Sequence, residues 1–338
     1  MLIIKRIKNK KIWEKFISSY TDANFLQSWN WGLFSQQIGS KIFRLGFYAN
    51  SKLIGVCLLI KKEAKRGNYL ECPGGPLLNL DKTVLFTSFL EEIRNIGFQE
   101  KCHFVRIRPQ LENNFTNKLL FKNKGFVSAP MHLHAETTWQ LNLLNTEETL
   151  LRKMRKTTRY LIKKAIKEGV KIIKSSNVAD VDILYKLQLE TVARQHFIPF
   201  SKDYFEQEFK AFNKDKQIKI FKAVYKGQVL AAAFIIFYNK EAIYHYSGSS
   251  STYPKIPASY LLQWEAIKAA KGKKCKTYNF WGISPSDNPK HRFAGVTMFK
   301  KGFGGFKKEY LHAQDLPLNL LYWPILAFEF LRKTYRRL

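Results

Sequence analysis

Acidic residues are scarce in this 338-residue chain. Only 26 Asp and Glu stand against 57 Lys and Arg, a formal net charge of +31 at pH 7. Such an imbalance points to a polyanionic partner: nucleic acid, an anionic membrane face or a phosphate-bearing substrate. A general lysine-rich composition is the bland account, since Lys, Ile and Asn are frequent throughout. Cysteine is sparse too. Cys57, Cys72, Cys102 and Cys275 stand singly, with no Cys-x-x-Cys pair and no histidine at metal-ligand spacing. That pattern argues against a zinc module or a disulfide framework and predicts buried, reduced thiols and no metal. Long apolar runs are missing as well. The opening "MLIIKRIKNKKIWEKF" is too charged after Ile4 for a secretory leader, and "LPLNLLYWPILAFEFLRK" is interrupted by Asn319, Pro324 and Glu329. A soluble cytoplasmic protein is therefore expected, one able to touch a membrane. What the chain does have is 46% hydrophobic and 15% aromatic residues, enough for real cores and too much for a disordered chain.

The chain also repeats itself. Residues 41–76 read as three strands turning at Asn50-Ser51 and around Arg66-Gly67, and residues 218–250 repeat that plan with turns at Lys226-Gly227 and Asn239-Lys240. A helical segment follows in each half, "TVLFTSFLEEIRNIG" and "SYLLQWEAIKAAKGK", with apolar residues three and four apart. Then come a strand ("CHFVRIRP", "CKTYNFWGI") and a short segment ending in a matched phrase, "LLFKNKGFVSAP" against "TMFKKGFGGFKK". Meander, helix, strand, short helix and strand, twice over, is the layout of a GNAT-type acyltransferase domain in tandem. The expected fold class is α+β. Subdomain 1 covers 1–145, subdomain 2 covers 146–316 with the catalytic motif, and 317–338 packs back on subdomain 1.

"TEETLLRKMRKTTRYLIKKAIKEG" stands outside the repeat. Glu147 and Glu148 suit a helix start, and Gly169 suits its stop. One stripe holds Leu150, Leu151, Met154, Thr158, Leu161, Ile162 and Ala165; Arg152, Lys156, Arg159, Lys163 and Lys167 line the other. A single helix is expected, its basic side either an ordinary solvated face or a contact for RNA phosphates or lipid headgroups.

Several segments carry a resemblance. "FLQSWNWG", "LECPGGP", the "RKMRKTTRYLIKKAIKEGV" helix, "YHYSGSSSTYPKIPASYLLQWEAIKAAK", "YNFWGI" and "GVTMFKKGFGG" resemble, in order and over nearly the whole chain, the FemABX family. The resemblance is to its shorter members, which lack the coiled-coil arm. It implies an aminoacyltransferase that uses aminoacyl-tRNA as co-substrate, with no cofactor. The implied acceptor is the stem peptide of a peptidoglycan precursor, lipid II or UDP-MurNAc-pentapeptide. A monomer is expected, at most peripheral at the inner face of the plasma membrane. Phe299 and Lys300 inherit the transfer site, where a fixed lysine supplies a compact charge for the tRNA end and the developing oxyanion. The glycines beside them would let backbone approach the sugar-phosphate. Tyr246 and Tyr204 match tyrosines that contact the precursor pyrophosphate, and Arg152, Lys156, Arg159 and Lys163 are candidates for tRNA phosphates. The plain alternative makes Phe299, Phe303 and Phe306 core residues and the lysines solvated, and either tyrosine an ordinary half-buried one.

The chain departs from the family pattern in three places. Ser35 stands where a precursor-binding lysine is expected, Phe200 near an expected arginine, and Arg108 where a relative carries aspartate, which removes the carboxylate candidate for a general base. Two rivals remain. An acyl-CoA-dependent N-acyltransferase would share the fold, but "GSSSTYPKIPASYLL" lacks the Gln/Arg-x-x-Gly-x-Gly/Ala turn for the CoA pyrophosphate. A non-enzymatic RNA- or membrane-binding module would explain the charge but not the Phe-Lys-Lys-Gly-Phe-Gly-Gly phrase.

Overall fold

The computed structural model describes residues 2–20, 23–131, 133–195 and 199–336. In chain order the first elements are β1 (Leu2–Arg6), α1 (Lys10–Ser19), α2 (Trp29–Gln37), β2 (Ile42–Ala49), β3 (Lys52–Lys62), β4 (Tyr69–Pro73), α3 (Thr83–Gln99), β5 (Phe104–Arg108), α4 (Phe115–Lys122) and β6 (Val127–Ser128). Next come β7 (Thr137–Asn142), α5 (Glu147–Lys153), α6 (Lys156–Lys167), β8 (Lys171–Ser175), α7 (Val181–Gln195), α8 (Lys202–Asn213), β9 (Ile218–Tyr225), β10 (Gln228–Tyr238) and β11 (Glu241–Ser249). The chain continues with α9 (Ala258–Gly272), β12 (Thr277–Gly282), α10 (Ala294–Lys301), β13 (Phe306–Glu309), β14 (Gln314–Pro317) and α11 (Tyr322–Arg336).

The chain divides into two units, residues 1–136 with 309–338, and residues 137–308. Each holds a seven-stranded sheet, ordered β1-β2-β3-β4-β5-β14-β6 in the first and β13-β7-β12-β11-β10-β9-β8 in the second. Read from opposite ends the two orders are the same, with β4 and β5 parallel in one and β11 and β12 parallel in the other. One strand in each is exchanged. The place between β5 and β6 is filled by β14 from the end of the chain, and the matching place beside β12 by β7 from its middle. That pairing draws β7 into the second sheet, so the divisions fall at 136/137 and 308/309, ahead of the 145/146 and 316/317 read from the sequence.

Local chemistry accounts for the meanders. Asn50-Ser51, Lys226-Gly227 and Asn239-Lys240 each place two consecutive residues at left-handed φ (47° and 63°, 48° and 77°, 44° and 62°). Such two-residue turns match the twist of paired strands. Behind the sheets, α3 buries Leu85, Phe86, Phe89, Ile93 and Ile96 at helical spacing. In the second unit α9 buries Leu262, Ala266, Ile267 and Ala270 in the same way.

In the first unit Gln27 bridges β3 and β4, accepting from the Leu58 amide at 2.8 Å and donating to the Pro73 carbonyl at 2.7 Å. A side chain on Gly74 or Gly75 would come within 2.6 Å of Asn24 or Gln27 respectively, so "FLQSWNWG" and "LECPGGP" interlock as structure. Further along β5, buried Arg106 holds Asp315 of β14 through two hydrogen bonds (2.7 and 2.8 Å) and Glu329 of α11 through a third (2.7 Å). Arg66 pairs with the same Glu329. The C-terminal segment is thus docked on the first unit, by charge as well as by Tyr322 and Ile325.

The single basic helix is a correction. It is two helices, α5 and α6, parted at Met154-Arg155, where Met154 takes up an extended backbone (φ −71°, ψ 153°). The Arg155 amide donates to the Gly302 carbonyl instead of continuing a helix. Arg159 reaches back to the freed carbonyls of Arg152 (3.1 Å) and Met154 (2.5 Å). The apolar stripe that read as continuous spans this break because Met154 and Ile162 both reach the same core.

Candidate active site

The second sheet parts where the first stays shut. β4 and β5 pair over five residues, but β11 and β12 pair only from Glu241–Thr277 to Ile243–Asn279. Two irregularities drive the strands apart. On β11 the register slips so that His245 is the extra residue, between Tyr244 opposite Ile235 and Tyr246 opposite Phe234. On β12 the register against β7 slips between Asn279 and Gly282. There Trp281 sits at φ 64°, a left-handed backbone uncommon for a bulky residue and a form of strain found at functional sites. Its amide is held by the Asn279 side chain at 2.8 Å, and its ring meets His245 at 5.6 Å.

Lys300 lies over this opening. It projects from α10, is buried, and donates from Nζ to the Gly282 carbonyl at 2.5 Å, with the Tyr244 ring 5.9 Å away. Among the described residues no carboxylate forms an ion pair with it. Burial alone pulls its pKa from 10.5 down to about 7. Lys301, one residue on, is different: it pairs with the exposed Asp287 at 2.7 Å. Phe299 is half-buried at the rim of the core, edge-on to Tyr260 (5.0 Å) and Phe303 (5.3 Å). Phe303 is a core residue, whereas Phe306 is exposed.

The glycines after Lys301 do something other than admit a ligand. A Cβ on Gly305 would lie 2.2 Å from the Gln140 carbonyl of β7, and one on Gly302 would lie 2.6 Å from Thr158 Oγ1. Trp139 Nε1 donates to the Gly304 carbonyl at 2.6 Å. The close approach they permit is to the unit's own backbone and side chains, which fixes α10 against β7 and α6.

Tyr204 and Tyr246 come together. Their hydroxyls are hydrogen bonded, and burial pushes the Tyr246 phenol well above its ordinary pKa. Phe200 stacks on Tyr204 at 4.2 Å, and Phe205 meets Tyr246 edge-on at 4.9 Å. Beneath them Glu208, fully buried on α8, lies 3.2 Å from His245 Nε2. Of the basic candidates, Arg152, Lys156 and Lys163 are exposed, while Arg159 is half-buried and engaged with its two carbonyls. An open cavity of about 450 Å³ lies on the other flank of α10, lined by Arg155, Asp287, Thr297 and Lys301 among others, and not by Lys300.

The sequence matches the model of the FemAB family over residues 9–119, 118–224 and 217–329. The chain belongs to the FemAB family. This FemAB chain is 20% identical over 378 aligned positions to a lipid II:glycine glycyltransferase of Staphylococcus epidermidis, covering 90% of this chain and 91% of the relative. A crystal structure of FemX covers 96% of it and is itself covered to 99%, at a TM-score of 0.85 and 16% identity. A tandem GNAT protein from the clavulanic acid biosynthesis pathway covers 94%, with 99% of that chain matched, at 0.59 and 8%. These two structures are likenesses of fold, and the fold is α+β with two tandem GNAT-like units.

Within this FemAB chain the three departures have structural explanations. Ser35 is buried on α2 and bonds back to the Trp31 carbonyl at 2.9 Å. Phe200 is spent on stacking against Tyr204. Arg108 is buried in the first unit, donating to the Ala135 carbonyl at 2.5 Å and lying 4.5 Å over the Tyr310 ring. Sequence reasoning missed Trp281, His245, Glu208 and Arg155. Trp281 and His245 lay inside the quoted segments "YNFWGI" and "YHYSGSS" without being singled out, and Arg155 stood within an amphipathic segment but off its two stripes.

Proposed function

We propose that this FemAB protein moves an amino acid from aminoacyl-tRNA to the stem peptide of a peptidoglycan precursor, lipid II or its UDP-linked forerunner. The observation that carries the reading is Lys300: a buried cation with no ion pair among the described residues, set beside the parted strands β11 and β12. An anion arriving there would restore the proton that burial disfavours. The acceptor amine attacks the ester carbonyl carbon, a C–N bond forms, and the carbonyl oxygen carries negative charge in the tetrahedral intermediate. The C–O bond to the tRNA ribose then breaks, and that oxygen takes up the proton lost by the amine. No covalent enzyme intermediate is needed, so the protein contributes alignment and a pre-organised charge.

In this reading Lys300 neutralises the tRNA end and the developing oxyanion, and Phe299 walls the aminoacyl group. Tyr204 and Tyr246 donate to the precursor pyrophosphate. The exposed Arg152, Lys156 and Lys163 bind tRNA phosphates, with Arg155 beside the α10 cavity as an addition; Arg159 acts through the helix break it caps. The name of the staphylococcal relative supports a lipid-linked acceptor. The test is transfer of labelled amino acids from charged total tRNA to purified lipid II and UDP-MurNAc-pentapeptide. Label in either precursor is the expected result; label in neither, with acetyl-CoA accepted as donor instead, overturns the reading.

A further inference from the structure

Helix α11 buries Tyr322 and Ile325 on its inner side, yet its outer side is apolar as well. A surface helix ordinarily buries its apolar side and offers charge to water. Here the acid points inward: Glu329 is fully buried against Arg106 and Arg66. The outward side carries Trp323, Phe328, Phe330, Leu331 and Tyr335, all exposed, Leu331 to 71% and Tyr335 to 90%. The remaining exposed positions on that arc are Pro324, Ala327 and Thr334, so the face has no charge at all in a chain of net charge +31. Leu320 and Leu321, just before the helix, extend the patch. Isolated exposed hydrophobics are common; a contiguous aromatic and aliphatic face is not.

We propose that this face docks on an anionic lipid surface, with α11 lying in the headgroup plane. At fifteen residues the helix is about 22 Å long, short of a hydrocarbon core, so it would lie in the interface and not cross it. By helical spacing Arg332 and Lys333 flank the apolar arc on its two sides. Apolar residues facing outward, Trp and Tyr among them, between basic flanks are the chemistry of an interfacial helix. A second copy fits less well: a twofold contact through this face would bring the basic flanks of both copies together with no exposed acid on the arc to pair them. The inference rests on the aminoacyl-transfer reading for its use, since an acceptor anchored in lipid is met at a membrane.

The test is sedimentation of the full chain with phosphatidylglycerol vesicles and with phosphatidylcholine vesicles, without tRNA or precursor. The expected result is binding to the anionic vesicles that weakens about a hundredfold or more when Trp323→Ser, Leu331→Ser and Tyr335→Ser are combined. Arg332→Gln with Lys333→Gln should cost about tenfold, on anionic vesicles alone. Leu331→Glu, a single change at an exposed position, should weaken binding in the same direction with the unfolding temperature kept. Equal binding by the wild type and the triple variant would overturn the proposal, because the chain's general positive charge would then suffice. So would a dimer in solution that the triple variant dissolves while no vesicle is bound. Vesicle binding and transfer to the soluble precursor are separate readouts: loss of the first alone defeats this inference, and loss of the second alone defeats the reading of function.

Discussion

The two sheets share a strand order, and they treat their parallel pair in opposite ways. In the first, β4 and β5 stay hydrogen bonded along their whole length, with Gln27 locking the neighbouring strand end and Arg106 sealing the far side in a buried ion cluster. In the second, two register slips part β11 from β12, and a buried lysine meets a backbone carbonyl and the Tyr244 ring, with no ion pair among the described residues. Buried charge with partners belongs to structure; buried charge without them is unfavourable unless something else supplies the counter-charge. The same fold has been completed on one side and left open on the other.

One substitution applied to each sheet sharpens that contrast. Arg106→Met leaves the buried Asp315 without its cation and Glu329 with Arg66 as its remaining partner, and should destabilise the protein by about 3–5 kcal/mol, read by denaturant unfolding. Lys300→Met removes a buried charge that has no ion pair among the described residues. Transfer should fall about a hundredfold, while the unfolding temperature rises. A solvated surface lysine replaced in the same way would leave the unfolding temperature unshifted. Lys301→Ala, which loses a pair with an exposed aspartate and a place over the Trp139 ring, should leave turnover close to that of the wild type. Equal losses from the two lysines would erase the distinction between the sheets.

The pH dependence follows from the same lysine. Its folded pKa, about 7, lies below its ordinary 10.5. Between those values the unfolded chain holds a proton that the folded chain does not, so stability should rise with pH across that window and stop changing above it. Lys300→Met should flatten the rise in a series of unfolding temperatures. Activity runs the other way: kcat/KM for charged tRNA should fall as pH rises through about 7, because the free enzyme loses its cation there. A smaller effect than that of Lys300→Met is expected of Tyr246→Phe. Removing one hydroxyl should raise KM for the precursor about tenfold at most, with kcat and the tRNA dependence little altered. A fall in kcat instead would move Tyr246 from binding into the chemistry.

Much of the architecture was legible because it is written in short-range signals. Left-handed turn pairs such as Asn239-Lys240 and the apolar spacing of α3 and α9 are local, and so was the duplication built from them. The exchange of β7 and β14 was not, since strand partners far apart in sequence leave no periodic trace. Nor was the break at Arg155, which exists only because Gly302 offers a carbonyl from nearly 150 residues away. In the candidate site, the phrase around Lys300 drew attention through its composition, but its burial depends on β12. The slips at His245 and Trp281 look like ordinary strand residues until their neighbours are placed. The Phe-Gly-Gly phrase was read as an opening for ligand, and its glycines prove to be spent on β7.

The exchanged strand has a consequence for how the molecule is made. Residues 137–308 form one uninterrupted stretch that contains every strand of its own sheet except the last residue of β13. The other unit begins first but lacks β14, and the contact of Arg106 with Asp315 spans 209 positions. On a ribosome, then, the portion that emerges earliest is the one that closes last. Until Gln314–Pro317 arrives, β5 presents an open edge, and a strand edge left waiting is a place for misassembly.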